Sequence, residues 1–219
     1  RTGGKREHDG ADALPASQEC RDAKASSDFL SRSSDILYDP FAMTDMDRAV
    51  AVLKAAISDG THITIYGDYD VDGVSATAML YRYLSQSGAV VDCYIPHRET
   101  DGYGLNCAAI DRLQTRGTQL IVTVDNGAVA FEEAEYIYKC GMRLLITDHH
   151  TCTERLPRCE AFLNPHQPGE TYPFAELAGA GVVFKLLCAM ETADIPKRED
   201  KMMRVRAVCM KYSLLAMLG

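Results

Sequence analysis

Short apolar segments alternate with amphipathic ones along most of the chain. Runs rich in Val, Ile and Leu predict buried strands, at positions 63–66, 90–95, 120–124, 143–147 and 161–163. Apolar residues at helical spacing predict helices around them, at positions 44–59, 74–84, 107–113, 131–138, 182–190 and 198–218. Continuous apolar strands separated by helices indicate βαβ units, so we expect an α/β fold: a parallel β-sheet with helices on both faces, followed by a helical C-terminal segment.

The first part of the chain lacks this pattern. Residues 1–27 are small and polar, carry mixed charge and show no hydrophobic period, so we expect a disordered arm or a non-native leader. The pattern changes at Phe29, and we therefore assign residues 28–219 to one domain. The chain begins with Arg1 rather than Met, and we expect it to be a fragment of something longer.

Composition narrows the class of protein. The 219 residues are 47% hydrophobic, which is ordinary for a globular protein, and the longest apolar run falls short of a membrane span. The net charge of −8 argues weakly against a protein that coats nucleic acid, but not against an enzyme that meets it through metal ions. Eight cysteines without any C-x-x-C pair predict reduced, mostly buried thiols and a cytoplasmic protein.

Polar residues collect directly after three of the predicted strands. The first strand is followed by Gly67-Asp68-Tyr69-Asp70-Val71-Asp72-Gly73, the third by Asp125-Asn126-Gly127 and the fourth by Asp148-His149-His150. In an open α/β sheet the carboxyl ends of parallel strands form the ligand-binding edge. Five carboxylates at one edge repel one another, and divalent cations resolve that conflict. Carboxylate and imidazole ligands without thiolates favour Mn²⁺ or Mg²⁺, with Zn²⁺ also open.

Each segment alone has a plainer interpretation. The Asp68–Gly73 segment begins like an EF-hand calcium loop, but the twelfth position holds Met79 and a strand precedes the segment. A solvated loop is the other interpretation of this segment. The plainer interpretation of Asp125-Asn126-Gly127 is a turn, and that of His149-His150 is an exposed pair. These interpretations weaken together, because all three segments fall at the same end of neighbouring strands.

Four segments in order resemble the successive motifs of the DHH phosphoesterase superfamily: Gly67–Gly73, Val124–Gly127, Thr147–His150 and Gly179-Ala180-Gly181. Within the superfamily the similarity is to the RecJ family of exonucleases specific for single-stranded DNA. Asp39-Pro40-Phe41, Gly102-Tyr103-Gly104-Leu105-Asn106 and Leu163-Asn164-Pro165 agree with it. The resemblance covers roughly residues 29–219.

This resemblance implies a Rossmann-like DHH domain and a phosphodiesterase that uses two Mn²⁺ or Mg²⁺ ions. It also implies removal of nucleotides from the 5′ end of single-stranded DNA in recombination and repair, with a single-strand-binding protein or a helicase as partner and no membrane. The metal ligands that it implies are Asp68, Asp70, Asp72, Asp125 and His149, with Asp125 as the bridge. His150 would lie near the substrate phosphate or leaving group, and Asp148 would act beside it; Asp68 and Asp148 are each open to a ligand or an orienting role.

Substrate contacts are open to two interpretations each. Arg98 is a phosphate clamp or a surface ion pair, and Tyr103 stacks on a base or packs in its loop. Gly179 and Gly181 allow close approach of backbone to substrate, or tight packing of a helix on the sheet. The cationic segment from Lys197 to Lys211 tracks a DNA backbone or forms a solvated helix face.

The chain differs from the family near its end. The resemblance implies a further metal-binding aspartate, a second domain and an OB-fold domain beyond Gly219. We therefore expect this piece to bind metal weakly and to show little processive nuclease action. Two alternatives stay open: a DHH phosphodiesterase that acts on short oligonucleotides or cyclic dinucleotides, and a DHH scaffold without catalysis.

Overall fold

The computed structural model describes residues 37–97, 102 and 104–216. The predicted leader lies outside the described residues, as do Arg98 and Tyr103, so their predicted roles stay predictions. From Tyr38 onward the described residues belong to one compact unit.

Five parallel strands form the sheet, in the order β2-β1-β3-β4-β5. Their bounds are β1 Ile63–Tyr66, β2 Val91–Tyr94, β3 Leu120–Val124, β4 Arg143–Thr147 and β5 Phe162–Leu163. The predicted bounds of β1, β3 and β4 are confirmed at both ends, and the other two strands are slightly shorter than predicted. The order places the three strands with polar tips side by side in the sheet.

Six α-helices accompany the sheet in the described residues, after a short 3₁₀ helix at Pro40–Ala42. They are α1 Met46–Ser58, α2 Val71–Gln86, α3 Cys107–Thr115, α4 Phe131–Lys139, α5 Gly179–Thr192 and α6 Arg198–Ala216. The predicted α/β class is confirmed. Two helices begin earlier than predicted, α2 at Val71 and α5 at Gly179. The glycine motif and the end of the acidic motif, Asp72 and Gly73, therefore lie within first helical turns.

Helices cover both faces of the sheet, because alternate strand residues point to opposite faces. On one face Tyr66, Ile121, Leu144 and Ile146 join a core cluster with α3 and α4. The intervening strand residues, such as Ile65, Val122 and Leu145, are also buried. Helices α2 and α5 contact the sheet and pack against each other, and α5 also packs against α1 and α6. The first turns of α2 and α5 therefore meet at the carboxyl edge.

Two local predictions are wrong. The helix predicted from position 44 begins at Met46: its cap position is Asp45 at φ 64°, and the Thr44 amide donates to Glu170. The thiols are free in all seven described cysteines, but Cys188 alone among these is buried. Cys93 lies on the edge strand β2 and Cys107 opens α3, and both positions face outward.

The described helices are too short or too polar for a bilayer. Within residues 37–97, 102 and 104–216, none combines the length and the apolar character needed to cross one.

Candidate metal centre

Side chains from the tips of β1, β3 and β4 converge into two overlapping groups. Asp68, Asp70 and Asp125 form one group, and Asp125, His149 and His150 form the other. In each group the candidate ligand atoms lie within 4.8 Å of one another. The shared member is Asp125, which the sequence predicted as the bridge between two metal ions.

Asp125 is the most constrained residue of this centre. It is 1% exposed, and its backbone has φ 61°, a left-handed conformation that non-glycine residues seldom adopt. Its Oδ1 is buried without a hydrogen bond of acceptable geometry in the described structure, although Nε2 of His149 lies 3.1 Å away. Burial raises the pKa of Asp125 to about 6, against the opposing effect of the contact with His149. A buried carboxylate oxygen that lacks a well-formed hydrogen bond suits a bound cation.

The first acidic segment is folded around the start of α2. Asp70 caps the helix, because its Oδ1 accepts a hydrogen bond from the Gly73 amide at 2.9 Å. Burial is the main reason that the pKa of Asp68 lies above its ordinary value. A Cβ at Gly73 would lie 2.5 Å from Cβ of Asp68 and 2.8 Å from its backbone. Gly73 lies inside α2, and its lack of a side chain allows the helix to approach Asp68.

Asp72 connects this segment to the first turn of α5. Its Oδ2 accepts a hydrogen bond from the Gly179 amide at 2.7 Å, and its Oδ1 accepts one from the Ala180 amide at 2.6 Å. Nε2 of His149 lies 3.5 Å from Oδ2 of Asp72. The positive end of the α5 dipole thus meets a carboxylate at the edge of the two ligand groups.

The two glycines of α5 differ in their surroundings. A Cβ at Gly179 would lie 2.7 Å from both Cβ and Oδ1 of Asp125, whereas a Cβ at Gly181 would meet the Leu177 side chain at 3.1 Å. The close approach at Gly179 is thus to the central carboxylate. The role in substrate binding predicted for these glycines stays a prediction.

Asp148 is 1% exposed, and other groups hold its carboxylate. Oδ1 accepts hydrogen bonds from the His149 and His150 amides and contacts Nδ1 of His150 at 2.7 Å, and Oδ2 accepts one from the Ala128 amide. Burial alone would raise the pKa of Asp148, but these hydrogen bonds hold it below its ordinary value. In turn, Asp148 raises the pKa of His150 to about 9. The sequence left open whether Asp148 is a metal ligand or orients its neighbours. This geometry favours the orienting role.

The carboxylates of this centre favour the protonated forms of both imidazoles. The pKa of His149 is raised chiefly by its contact with Asp125, so both imidazoles tend to carry charge beside the carboxylates. Oxygen and imidazole ligands around a buried carboxylate fit Mn²⁺ or Mg²⁺. Of the predicted ligands, Asp68, Asp70, Asp125 and His149 belong to the two groups and would hold these ions. Asp72 lies beside them, and its ligand role stays a prediction.

The comparison with protein families agrees with this geometry. The model described as "DHH family, N-terminal domain" matches residues 62–216, which is more than half of the chain. The chain belongs to the DHH family.

Curated relatives of this chain are named "Single-stranded-DNA-specific exonuclease RecJ". The relative from Bacillus subtilis (strain 168) is 46% identical over 162 residues, which cover 74% of this chain and 21% of the relative. The relative from Escherichia coli (strain K12) is 38% identical over 151 residues, which cover 68% of this chain and 26% of the relative. The chain therefore spans about a fifth to a quarter of the length of these relatives.

Solved DHH-family structures share the fold. A crystal structure of "exonuclease RecJ bound to manganese" superposes with a TM-score of 0.64 and 30% identity, covering 77% of this chain and 43% of that one. RecJ from Thermus thermophilus, in complex with Mn²⁺, gives a TM-score of 0.58 and 28% identity, covering 76% of this chain and 24% of that one.

The cationic helix α6 packs partly on its own protein. Arg204 lies 3.7 Å from Glu191, Lys201 lies over the Phe41 ring, and Lys211 contacts Gln86. These contacts support a solvated helix face, the second of the two interpretations of this segment.

The sequence placed Gly73 and Gly179 in motifs without showing that they allow close packing against carboxylates. It gave no sign of the Ala128 amide, which holds Asp148. Glycine at these two motif positions was visible in the sequence, but the atoms that fill the space beside it were not.

Proposed function

We propose that this chain provides the metal-binding part of an exonuclease that hydrolyses phosphodiester bonds of single-stranded DNA, releasing nucleotides from the 5′ end in recombination and repair. The observation that carries the proposal is the pair of ligand groups that share Asp125. Two RecJ relatives bind Mn²⁺ in their crystal structures, and the named curated relatives are specific for single-stranded DNA. Their names supply the substrate class, and the donor atoms of this chain suit the metal.

Bound Mn²⁺ or Mg²⁺ ions would neutralise phosphate charge and make water a stronger nucleophile at neutral pH. In this proposal Asp125 would contribute to both ion sites, and Asp68, Asp70, Asp72 and His149 would be the other ligands. Asp148 holds His150 and favours its protonated form, and in this proposal His150 would donate a proton to the leaving oxygen. The first turns of α2 and α5 add partial positive charge where the phosphate arrives.

The proposal extends to the setting of the reaction. We propose a cytoplasmic protein whose DNA substrate is presented by a single-strand-binding protein or a helicase. Arg98 and Tyr103 are the proposed contacts to phosphate and base.

The test combines metal binding with substrate comparison. Isothermal titration of the chain with Mn²⁺ should give saturable binding that Asp125→Ala abolishes. With Mn²⁺, the longer protein that contains this chain should release labelled mononucleotides from a 5′-labelled single strand, while it should not release them from the matched duplex. A chain that binds no Mn²⁺, or a rate that Asp125→Ala leaves unchanged, would refute the proposal.

Substrate size separates this proposal from its alternatives. Faster hydrolysis of a dinucleotide or a cyclic dinucleotide than of a long single strand would favour the small-substrate DHH phosphodiesterase. Metal binding by the longer protein without hydrolysis of any of these substrates would favour the scaffold.

A further inference from the structure

Two buried asparagines lie beside the metal centre without belonging to either ligand group. Asn126 follows the central carboxylate at the tip of β3 and is 2% exposed. Asn164 follows β5 and is fully buried. Burying an amide is costly unless it forms hydrogen bonds, so the partners of these side chains indicate what they do.

Asn126 joins the tips of two strands. Its Nδ2 donates to the backbone carbonyls of Tyr66 at 3.2 Å and Val124 at 3.0 Å. Tyr66 is the last residue of β1, two positions before Asp68, and Val124 directly precedes Asp125. The paired register of β1 and β3 ends where Tyr66 meets Thr123. The amide therefore extends the link between these strands beyond the last residue pair, where the ligand-bearing segments diverge.

Asn164 holds the segment that follows β4. Its Nδ2 donates to the His150 carbonyl at 2.9 Å, and its Oδ1 accepts from the His166 amide at 2.8 Å. The paired register of β4 and β5 ends where Thr147 meets Leu163. The Asn164 side chain therefore ties the backbone at His150 to the residue that follows β5.

These links matter because the groups that they hold repel one another. In the metal-free chain, the carboxylates at the tips of β1 and β3 favour separation of the segments that carry them. A fixed backbone keeps the ligand atoms close before a cation arrives, so less ordering is needed on binding.

We propose that Asn126 and Asn164 are positioning residues: their amides set the spacing of the three ligand-bearing segments and thereby the affinity for divalent cations. This inference rests on the proposed function, since it requires that the centre binds metal. It assigns a role to the asparagines through the backbone, because neither side chain belongs to the ligand groups.

The test measures Mn²⁺ affinity in the complete 219-residue chain. Asn126→Ala and Asn164→Ala should each weaken Mn²⁺ binding by about 10- to 100-fold, the range typical of residues that orient metal ligands. Isothermal titration gives the affinity, and circular dichroism at the same temperature confirms that each variant is folded. Asn164→Ser, a smaller change in polarity, replaces Asn164→Ala if the alanine variant does not fold.

Gln167 offers a matched control. It is also a buried amide, and its Nε2 donates to the Phe162 carbonyl at 3.2 Å and to Glu170 at 3.1 Å, away from the ligand-bearing segments. Gln167→Ala should lower thermal stability to a similar extent and leave Mn²⁺ affinity unchanged. An equal loss of affinity in this control would assign the effect to general loss of stability and overturn the inference.

The remaining outcomes separate the inference from the proposed function. If the unsubstituted chain binds no Mn²⁺, the proposed function fails. If it binds Mn²⁺ and folded variants at both asparagines bind equally well, the positioning role is overturned while the proposed function stands.

Discussion

Substituting Gly179 by alanine should damage the centre although the change adds a single methyl group. The new Cβ would lie 2.7 Å from Cβ and Oδ1 of Asp125 and 2.8 Å from its Cγ, closer than real Cβ contacts. Asp125 has little room to move, since it is buried, adopts φ 61° and donates its backbone amide to the Thr147 carbonyl at 3.0 Å. Relief of this close contact therefore requires a shift of either α5 or Asp125.

The expected magnitude follows from two opposing effects. Overpacking of a tight site costs about 1–3 kcal/mol. Alanine is preferred over glycine by at most about 1 kcal/mol inside a helix, and by less in the first turn. We therefore expect Gly179→Ala to lower the free energy of unfolding by about 1–2 kcal/mol. For a chain of this size that corresponds to a Tm lower by about 2–8 °C.

Gly181→Ala is the control for this prediction. Its Cβ would meet the Leu177 side chain at 3.1 Å, and a leucine side chain can rotate away. Because the substitution favours the helix, its Tm should equal or exceed that of the unsubstituted chain. Thermal unfolding without metal gives the Tm of both variants, and Mn²⁺ titration gives their affinities. Mn²⁺ affinity should fall at least about tenfold in Gly179→Ala and stay unchanged in Gly181→Ala. Equal behaviour of the two variants would refute this account of Gly179.

Three further predictions concern protons and metal. Without metal, Asp125→Asn should raise the free energy of unfolding near pH 8 by about 1–3 kcal/mol. The reason is that the pKa of Asp125 is raised to about 6 in the folded chain, so the chain loses stability as the pH rises through that value. A decrease measured by urea unfolding would contradict this prediction. Asp148→Asn should move the pKa of His150 from about 9 towards its ordinary 6.5, and an unchanged NMR titration would refute this. Mn²⁺ affinity should increase as the pH rises above about 6, since Asp125 and His149 must lose protons to bind the ion; calorimetry giving a flat profile would exclude it.

The strands and their polar tips could be predicted because the signals are local. Continuous apolar runs set the bounds of β1, β3 and β4, and the segments after them are adjacent in sequence to those runs. Parallel topology then puts all three tips at one edge, whatever the details of packing. The starts of α2 and α5 were harder, because motif residues such as Val71 and Gly179 have ordinary or poor helix propensity and helix formation there depends on capping and packing.

The sequence alone determined that carboxylates and imidazoles gather at one edge of a parallel sheet, since strand period and chain direction follow from neighbouring residues. Only the tertiary structure decided which of them meet: Asp72 with the first turn of α5, Gly179 with Asp125, and Asn164 with His150. The first two of these contacts join residues from distant parts of the chain, and all three depend on how the elements pack. No local pattern encodes them, because packing distances are set by the whole fold.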